Sequence, residues 1–467
     1  MLTYDLFEKN KYYALYSGIR GDILSGNLKH GEKLPSKRAL AEHLGVSVIT
    51  VQTAYEQLLA EGYIQSEERR GYFVSDVNFA VAPAISRNEP HFLRSDGVGK
   101  EENAGVAIDL VSGRAPVKLF PFSTWAKLMR QTLSEEGGHL LERVPCGGDP
   151  SLKRAIAGYL QRFRGFKVDP EHIVIGAGAE YLYGVIVQLL GRNKPYAVEN
   201  PVYPRVPHTY ALNGAKCVSV PVTEAGADVA AAEKTNACAL HISPSHQYPT
   251  GAVMPAANRS KLLAWVEKTG AYIIEDDYDS EFRLFGKPLQ TMAGMNGERV
   301  IYINTFSKTL APSLRMGYMV LPPRLYARYC EIFGSSANVV PLFEQKTLAK
   351  MLDGGYFERH VNRLRNYYRG VRAVLLEKIA ALPVEKEIIE TGGGLHLTVR
   401  LPEFASDAEI KRAAEEHGIK IKCVSDYLSA PDPRYDKVAV INYSSVEEEQ
   451  LKRLNPHLVD AFPQIIP

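Results

Sequence analysis

The stretch VIYINTFSKTLAPSLRMGYMVL, residues 300–321, decides how this chain is read. It opens on Val300, Ile301, Tyr302 and Ile303, an apolar run of the length of a buried strand. A loop of Asn304, Thr305, Phe306 and Ser307 follows and presents Lys308. Arg315 stands seven residues further on, before a second apolar run from Met316 to Leu321. A lysine at the mouth of a buried strand is poorly solvated. Burial disfavours its charged form, lowers its pKa and leaves the amine more nucleophilic.

Upstream, the apolar residues Tyr272, Ile273 and Ile274 end in Glu275-Asp276-Asp277-Tyr278-Asp279-Ser280-Glu281-Phe282. A pyridoxal phosphate site needs an acid against the pyridine nitrogen, to keep the ring protonated as an electron sink. It also needs a donor to the phenolic oxygen and a lysine for the aldehyde. The order strand–Asp-x-Tyr, then strand–Ser-Lys and a following arginine, resembles the core of the fold-type I aminotransferases. The resemblance implies Asp276 on the pyridine nitrogen, Tyr278 on the phenolic oxygen, Lys308 as the Schiff-base lysine, and Arg315 on the phosphate.

The segment from about residue 108 to 467 alternates strand-like and helical runs, the pattern of an α/β domain with a mostly parallel sheet. His172 to Glu180 (HIVIGAGAE) reads as a strand entering a helix through small residues, whose open amides suit a phosphate. Gly178 and Ala179 are the candidates there. The family usually places hydroxyls at this turn; Ala177 and Ala179 have none, so backbone amides, Arg315 and Ser307 are left to serve. Glu199-Asn200-Pro201-Val202-Tyr203-Pro204-Arg205 resembles an element in which the tyrosine stacks on the cofactor ring. That role is assigned to Tyr203, and Arg205 is a candidate for an effector carboxylate. Residues 355–372 read as a basic scaffold helix beside the site. Val438 to Ser445 (VAVINYSS) reads as a strand. Aminotransferases end it with an arginine that pairs with the substrate carboxylate; here Ser444 and Ser445 stand in that place, and the next arginine is Arg453.

Residues 1–75 have a different character. Tyr12, Leu15, Tyr16, Ile19 and Ile23 recur at helical spacing. Ser36 is suited to cap a helix from Lys37 to Leu44 that stops at Gly45, and Ser47 to cap the next, Val48 to Glu61. The buried face of that third helix is expected to use Val51, Ala54, Leu58 and Leu59. A strand–turn–strand around Glu67-Glu68-Arg69-Arg70-Gly71 completes a winged helix-turn-helix, whose third helix would enter a major groove. LPSKRALAEHLGVSVITVQTAYEQLLAEGYIQSEERRGYFV, residues 34–74, closely resembles the GntR-type DNA-binding domain. The resemblance implies DNA contacts from Ser36, Arg38, Ser47, Thr50 and Gln52, with the wing at Arg69, Arg70 and Gly71. Ser and Thr position the protein on phosphates, whereas Gln52 suits an adenine edge. Many members carry arginine where Val48 stands. Residues 1–74 hold nine Lys or Arg against nine Asp or Glu, so a DNA-binding face requires segregation, with Lys33, Lys37, Arg38, Arg69 and Arg70 sharing one side.

Residues 76–107 mix Ala, Pro, Asn, Gly and charges without periodicity and read as an extended connector. The composition, 45% hydrophobic and 23% charged, is that of an ordinary globular protein. The five cysteines form no CxxC, so neither a zinc site nor a disulfide framework is indicated, and no metal is expected. No signal core or membrane span is read, and the protein is expected to be cytoplasmic with no membrane partner.

Ser243-Pro244-Ser245-His246-Gln247-Tyr248-Pro249-Thr250-Gly251 places Tyr248 where aminotransferases have an asparagine against the ring oxygen. SHQYPTG together with EDDYDSEF resembles the MocR/GabR-type regulators, which fuse a GntR winged helix to an aminotransferase-like domain. The resemblance implies a pyridoxal-phosphate-dependent transcriptional regulator acting on a double-stranded DNA operator as a head-to-tail homodimer. An amine or amino-acid effector would form an external aldimine in place of Lys308 and alter operator binding. Two rivals stand beside it: a working aminotransferase that carries a DNA-binding domain, and a sensor of pyridoxal phosphate itself.

Overall fold

A computed structural model describes residues 4, 11–76, 108–113, 116–286, 289–389, 393–447 and 450. The chain divides into two compact units, Met1–Glu101 and Glu102–Pro467. Apart from Asp76, the expected connector 76–107 lies outside the described residues.

The first unit builds three helices, α1 (Lys11–Leu24), α2 (Lys37–Leu44) and α3 (Val48–Ala60), and a hairpin of β1 (Ile64–Glu67) and β2 (Gly71–Val74). Both expected caps form. The Ser36 hydroxyl accepts from the Ala39 amide at 3.2 Å and Ser47 from the Thr50 amide at 3.1 Å. Each satisfies one of the donors that a helix start leaves open, worth about 1 kcal/mol. Gly45 ends α2 in the left-handed region at φ 63°, which glycine adopts without the Cβ penalty. Val51, Ala54, Tyr55 and Leu58 of α3 join the core with Leu15, Ile19 and Leu40. Leu59, expected in that set, lies at the margin of the i, i+3, i+4, i+7 stripe and is half-buried, and Tyr55 fills the core instead.

The second unit is organised on an eight-stranded sheet. Its strands in chain order are β3 (Ile173–Gly176), β4 (Tyr196–Asn200), β5 (Cys217–Thr223), β6 (Gly226–Ala227), β7 (Ala239–Ile242), β8 (Tyr272–Asp276), β9 (Val300–Thr305) and β10 (Gly317–Val320). In space they run β3-β10-β9-β8-β7-β4-β5-β6. Strands β9, β8, β7, β4 and β5 pair in parallel. Strand β10 runs against both its neighbours, β9 and β3. The central strands are buried on both faces, as VIYI and YIIE suggest, because helices cover both sides of a parallel sheet. A second sheet of β11 (Glu387–Ile389), β12 (His396–Arg400), β13 (Lys422–Cys423) and β14 (Val438–Asn442) is ordered β11-β12-β14-β13.

Strand β14 is shorter than expected. The Asn442 side-chain oxygen accepts from the Ser444 amide at 3.0 Å and from its hydroxyl at 2.7 Å, and this turn ends the strand before Tyr443. The basic helix extends further than expected, over Tyr356–Ala380. Among the described residues, no helix is long and apolar enough to cross a membrane.

Candidate cofactor site and DNA-binding unit

In open α/β sheets, ligands bind beyond the carboxyl ends of the parallel strands. The candidates for the cofactor site stand at such ends, except Arg315, which precedes the antiparallel strand β10. Asp276 ends β8 and Tyr278 follows it, Ser307 and Lys308 follow β9, Tyr203 follows β4, and Tyr248 follows β7. Gly178 and Ala179 lead from β3 into the helix α4 (Ala179–Leu190).

Strand alternation sorts the acids of EDDYDSE. Asp276 faces one side, where the Tyr183 hydroxyl donates to its Oδ2 at 2.5 Å and His241 Nε2 stands 3.4 Å away. His241 is held in turn by the Tyr210 hydroxyl at 2.8 Å from Nδ1. Burial, with Asp276's charge second, pushes the Tyr183 phenol well above its usual range, so it remains a donor. Neither Tyr183 nor His241 is marked by a local motif; each is brought to Asp276 by the sheet and α4.

Glu275 and Asp277 face the other way. Asp277 accepts from Arg164 Nη2 at 2.9 Å and from the Tyr302 hydroxyl at 2.6 Å, and its Oδ2 lies 2.9 Å from Arg164 Nε. Glu275 accepts the Met292 and Ala293 amides, each at 2.9 Å. Glu281 accepts from Tyr159 and Asn304 at 3.1 Å each. Burial raises Glu275 and Glu281 to about 7 and Glu199 to about 8. Of these acids, Asp276 is the one facing Tyr183 and His241 on the α4 side of the sheet.

Lys308 is half-buried and its Nζ donates to the Gly113 carbonyl at 2.9 Å. Desolvation lowers its pKa and Asp279 opposes the shift. A Cβ on Gly113 would overlap Nζ, so this glycine makes room for the amine. Arg315 donates from Nη2 to the Ala177 carbonyl at 3.1 Å. Gly178 opens α4 at φ +88°, and a Cβ there would lie 3.2 Å from Arg315 Nη2. The guanidinium therefore lies directly over the helix start. Ser307 is half-buried in the same loop as Lys308.

An aromatic cluster is centred on Tyr248. Tyr248 lies edge-on to Tyr203, Tyr278, His396 and Tyr427, and its hydroxyl pairs with Tyr427 at 2.9 Å. Burial pushes the Tyr248 phenol up to about 12. Tyr203 is 44% exposed. Arg205 packs over the Tyr203 ring and faces Glu180 at 3.4 Å, at the surface. His246 Nδ1 lies 3.0 Å from Asp279 Oδ2 and 3.3 Å from the Tyr278 hydroxyl. One ring nitrogen holds one proton or one lone pair in its plane. If it donates to Asp279, the Tyr278 hydroxyl is left to donate elsewhere.

His246, Asp279 and His396 bring three ligand-type atoms within 4.8 Å of one another, a cluster that the spacing of the sequence did not indicate. Arg164 and Arg283 line the small cavity beside them, and two cations oppose a metal ion there. Where an arginine would end β14, Ser445 donates to the Asp109 carbonyl at 2.8 Å and Ser444 is buried. Arg453 lies outside the described residues.

In the first unit, Ser47, Arg38, Arg69 and Arg70 are exposed, and Thr50 and Gln52 half-buried. Lys33 and Arg70 sit over the Phe73 ring and Lys37 over Tyr72, which gathers three cations on the hairpin. Arg69 turns through φ 61° and Gly71 through φ 113° to make the wing.

Residues 107–454 match the model of the aminotransferase class I and II family, and residues 11–74 that of the bacterial regulatory proteins, gntR family. The chain is 35% identical to the HTH-type transcriptional regulator YdeL of Bacillus subtilis, over 94% of each chain. It is 31% identical to the probable rhizopine catabolism regulatory protein MocR of Rhizobium meliloti, over 96% of this chain and 93% of that one. It is 30% identical to the pyridoxine biosynthesis regulator PdxR of Corynebacterium glutamicum, over 95% and 94%. Among solved structures, a multiple substrate aminotransferase from Thermococcus profundus aligns with a TM-score of 0.68 at 25% identity, over 77% of this chain and 91% of that one.

Proposed function

The chain belongs to the MocR-type transcriptional regulators, a GntR winged helix fused to a fold-type I aminotransferase-like domain, and on that premise we propose that it holds pyridoxal phosphate on Lys308 and adjusts its DNA binding to an amine effector. One observation carries the reading. Lys308, Asp276 and Gly178 stand at the carboxyl ends of strands of a single sheet, with the Arg315 guanidinium over Gly178 and the lysine's pKa lowered by desolvation.

The residues present fit the cofactor. Gly113 leaves space at Nζ, and the open start of α4 under Arg315 suits a phosphate. Asp276, held by Tyr183 and His241, would face the pyridine nitrogen. Tyr278 would donate to the phenolic oxygen, and Tyr203 and Tyr248 would wall the ring. Bound there, the cofactor supplies an aldehyde that condenses reversibly with primary amines. The chain's own contribution is to orient it and to keep Lys308 a competent amine. Arg205 would meet an effector's carboxylate. A head-to-tail dimer would bring two winged helices to two half-sites. The effector must bind the two DNA-binding states with different affinity, or it shifts nothing.

Ser444 and Ser445 bond inward to protein groups where an aminotransferase presents arginine, which disfavours sustained turnover of amino acids. The test is the visible spectrum of the purified protein and of Lys308→Ala, with DNA binding followed during amine titration. A band in the wild type, absent in the variant and shifted by one amine that also changes DNA affinity, supports the regulator. Sustained oxo-acid formation supports the enzyme instead. A band that no amine moves, with DNA affinity that follows pyridoxal phosphate alone, supports a sensor of the cofactor.

A further inference from the structure

Helix α3 carries no lysine or arginine between Val48 and Ala60, and its one charged residue is Glu56. Its first turn presents two β-branched apolar residues to solvent, Val48 at 42% and Ile49 at 74% exposure. One turn on, the exposed Thr53 spends its hydroxyl on the Ile49 carbonyl at 3.0 Å, which leaves its methyl as the available group. Gln52 holds Glu56 through Nε2 at 2.8 Å. The cations lie elsewhere in the unit: Lys33, Lys37 and Arg70 on the hairpin aromatics, and Arg38 and Arg69 exposed.

This division of labour limits what the helix can recognise. A guanine edge offers O6 and N7, two acceptors that take a bidentate Arg or Lys. The helix has neither. The feature of a major-groove edge that an apolar side chain recognises is the thymine C5-methyl group. Gln52 matches adenine N6 and N7, the partner base of the same pair. We infer that Ile49, supported by Val48, reads thymine methyls and Gln52 an adjacent adenine, so that each half-site is centred on A·T pairs, with phosphate affinity supplied by the wing and α2. The inference rests on reading this unit as DNA-binding.

The test begins with selection of duplexes from a random library by the full-length protein. Failure to enrich any duplex removes the DNA-binding reading itself. Once a site is enriched, each thymine is replaced by deoxyuridine, which deletes the methyl and keeps the pairing. The expected result is a loss of about fourfold per contacted methyl, which disappears in Ile49→Ala. Because Ile49 touches no phosphate, the salt dependence of binding should be the same in both proteins. Guanine-centred half-sites would overturn the inference while leaving DNA binding intact. So would a site indifferent to deoxyuridine, or an Ile49→Ala protein that keeps the wild-type sensitivity. An Ile49→Ala protein with a weakened salt dependence would show a general docking defect and overturn it too.

Discussion

At Arg315 the backbone conformation and the role proposed for the side chain pull in opposite directions. Its backbone sits at φ 48°, ψ 41°, a left-handed conformation that costs an L-residue about 1–2 kcal/mol. Replacing it with glycine removes that strain. It also loosens the unfolded chain, at about 0.5–1 kcal/mol. The apo-protein should therefore be unchanged or more stable by up to about 1.5 kcal/mol. The guanidinium over Gly178 is the group we assign to the phosphate, and charge-assisted hydrogen bonds contribute about 1.5–3 kcal/mol. Arg315→Gly should then bind pyridoxal phosphate about 10- to 150-fold more weakly. The assay is titration of apo-protein followed by the visible band, run in parallel with pyridoxal, which has the aldehyde but no phosphate. Wild type and variant should bind pyridoxal equally. Equal losses for both ligands would refute the phosphate assignment, and a less stable apo-variant would refute the strain argument.

Two further outcomes follow from the acids behind the sheet. Arg164 forks onto Asp277, with both side chains buried, and removing one partner of a buried pair costs about 3–5 kcal/mol. Arg164→Met should lower the unfolding free energy of the second unit by that amount in urea, read by Trp125 and Trp265 fluorescence; a loss below about 1 kcal/mol is incompatible with the buried pair. Glu275 is raised from 4.5 to about 7 in the folded state. The folded protein thus binds the proton more tightly than the unfolded chain. The contribution is complete below about 4.5 and is lost as pH rises to about 7, roughly 3 kcal/mol in all. Glu275→Gln should flatten the fall in urea stability between pH 5 and pH 8, whatever offset the lost amide contacts add. An unchanged slope would show that Glu275 does not titrate there.

Much of this architecture was legible because the relevant physics is local. Ser36 and Ser47 precede apolar-periodic runs and cap them, and Gly45 turns where a left-handed residue is needed. Lys308 follows a run that is buried on both faces, and its lowered pKa follows from that position. What was not legible is set by contacts distant in sequence. Tyr183 reaches Asp276 across 93 positions and Gly113 reaches Lys308 across 195. No periodicity carries such pairings; the order of strands in the sheet does. The same holds for His246. The motif SHQYPTG marked Tyr248, yet it is His246 that stands between Asp279 and Tyr278. With one nitrogen facing two oxygens, the state of that ring decides whether the Tyr278 hydroxyl is held by His246 or left to donate elsewhere, as the role we propose for it requires. Asp279, by favouring a proton on Nδ1, favours the latter. Asp279, which lies beyond the strand and outside its alternation, thereby bears on Tyr278, the residue we assign to the phenolic oxygen.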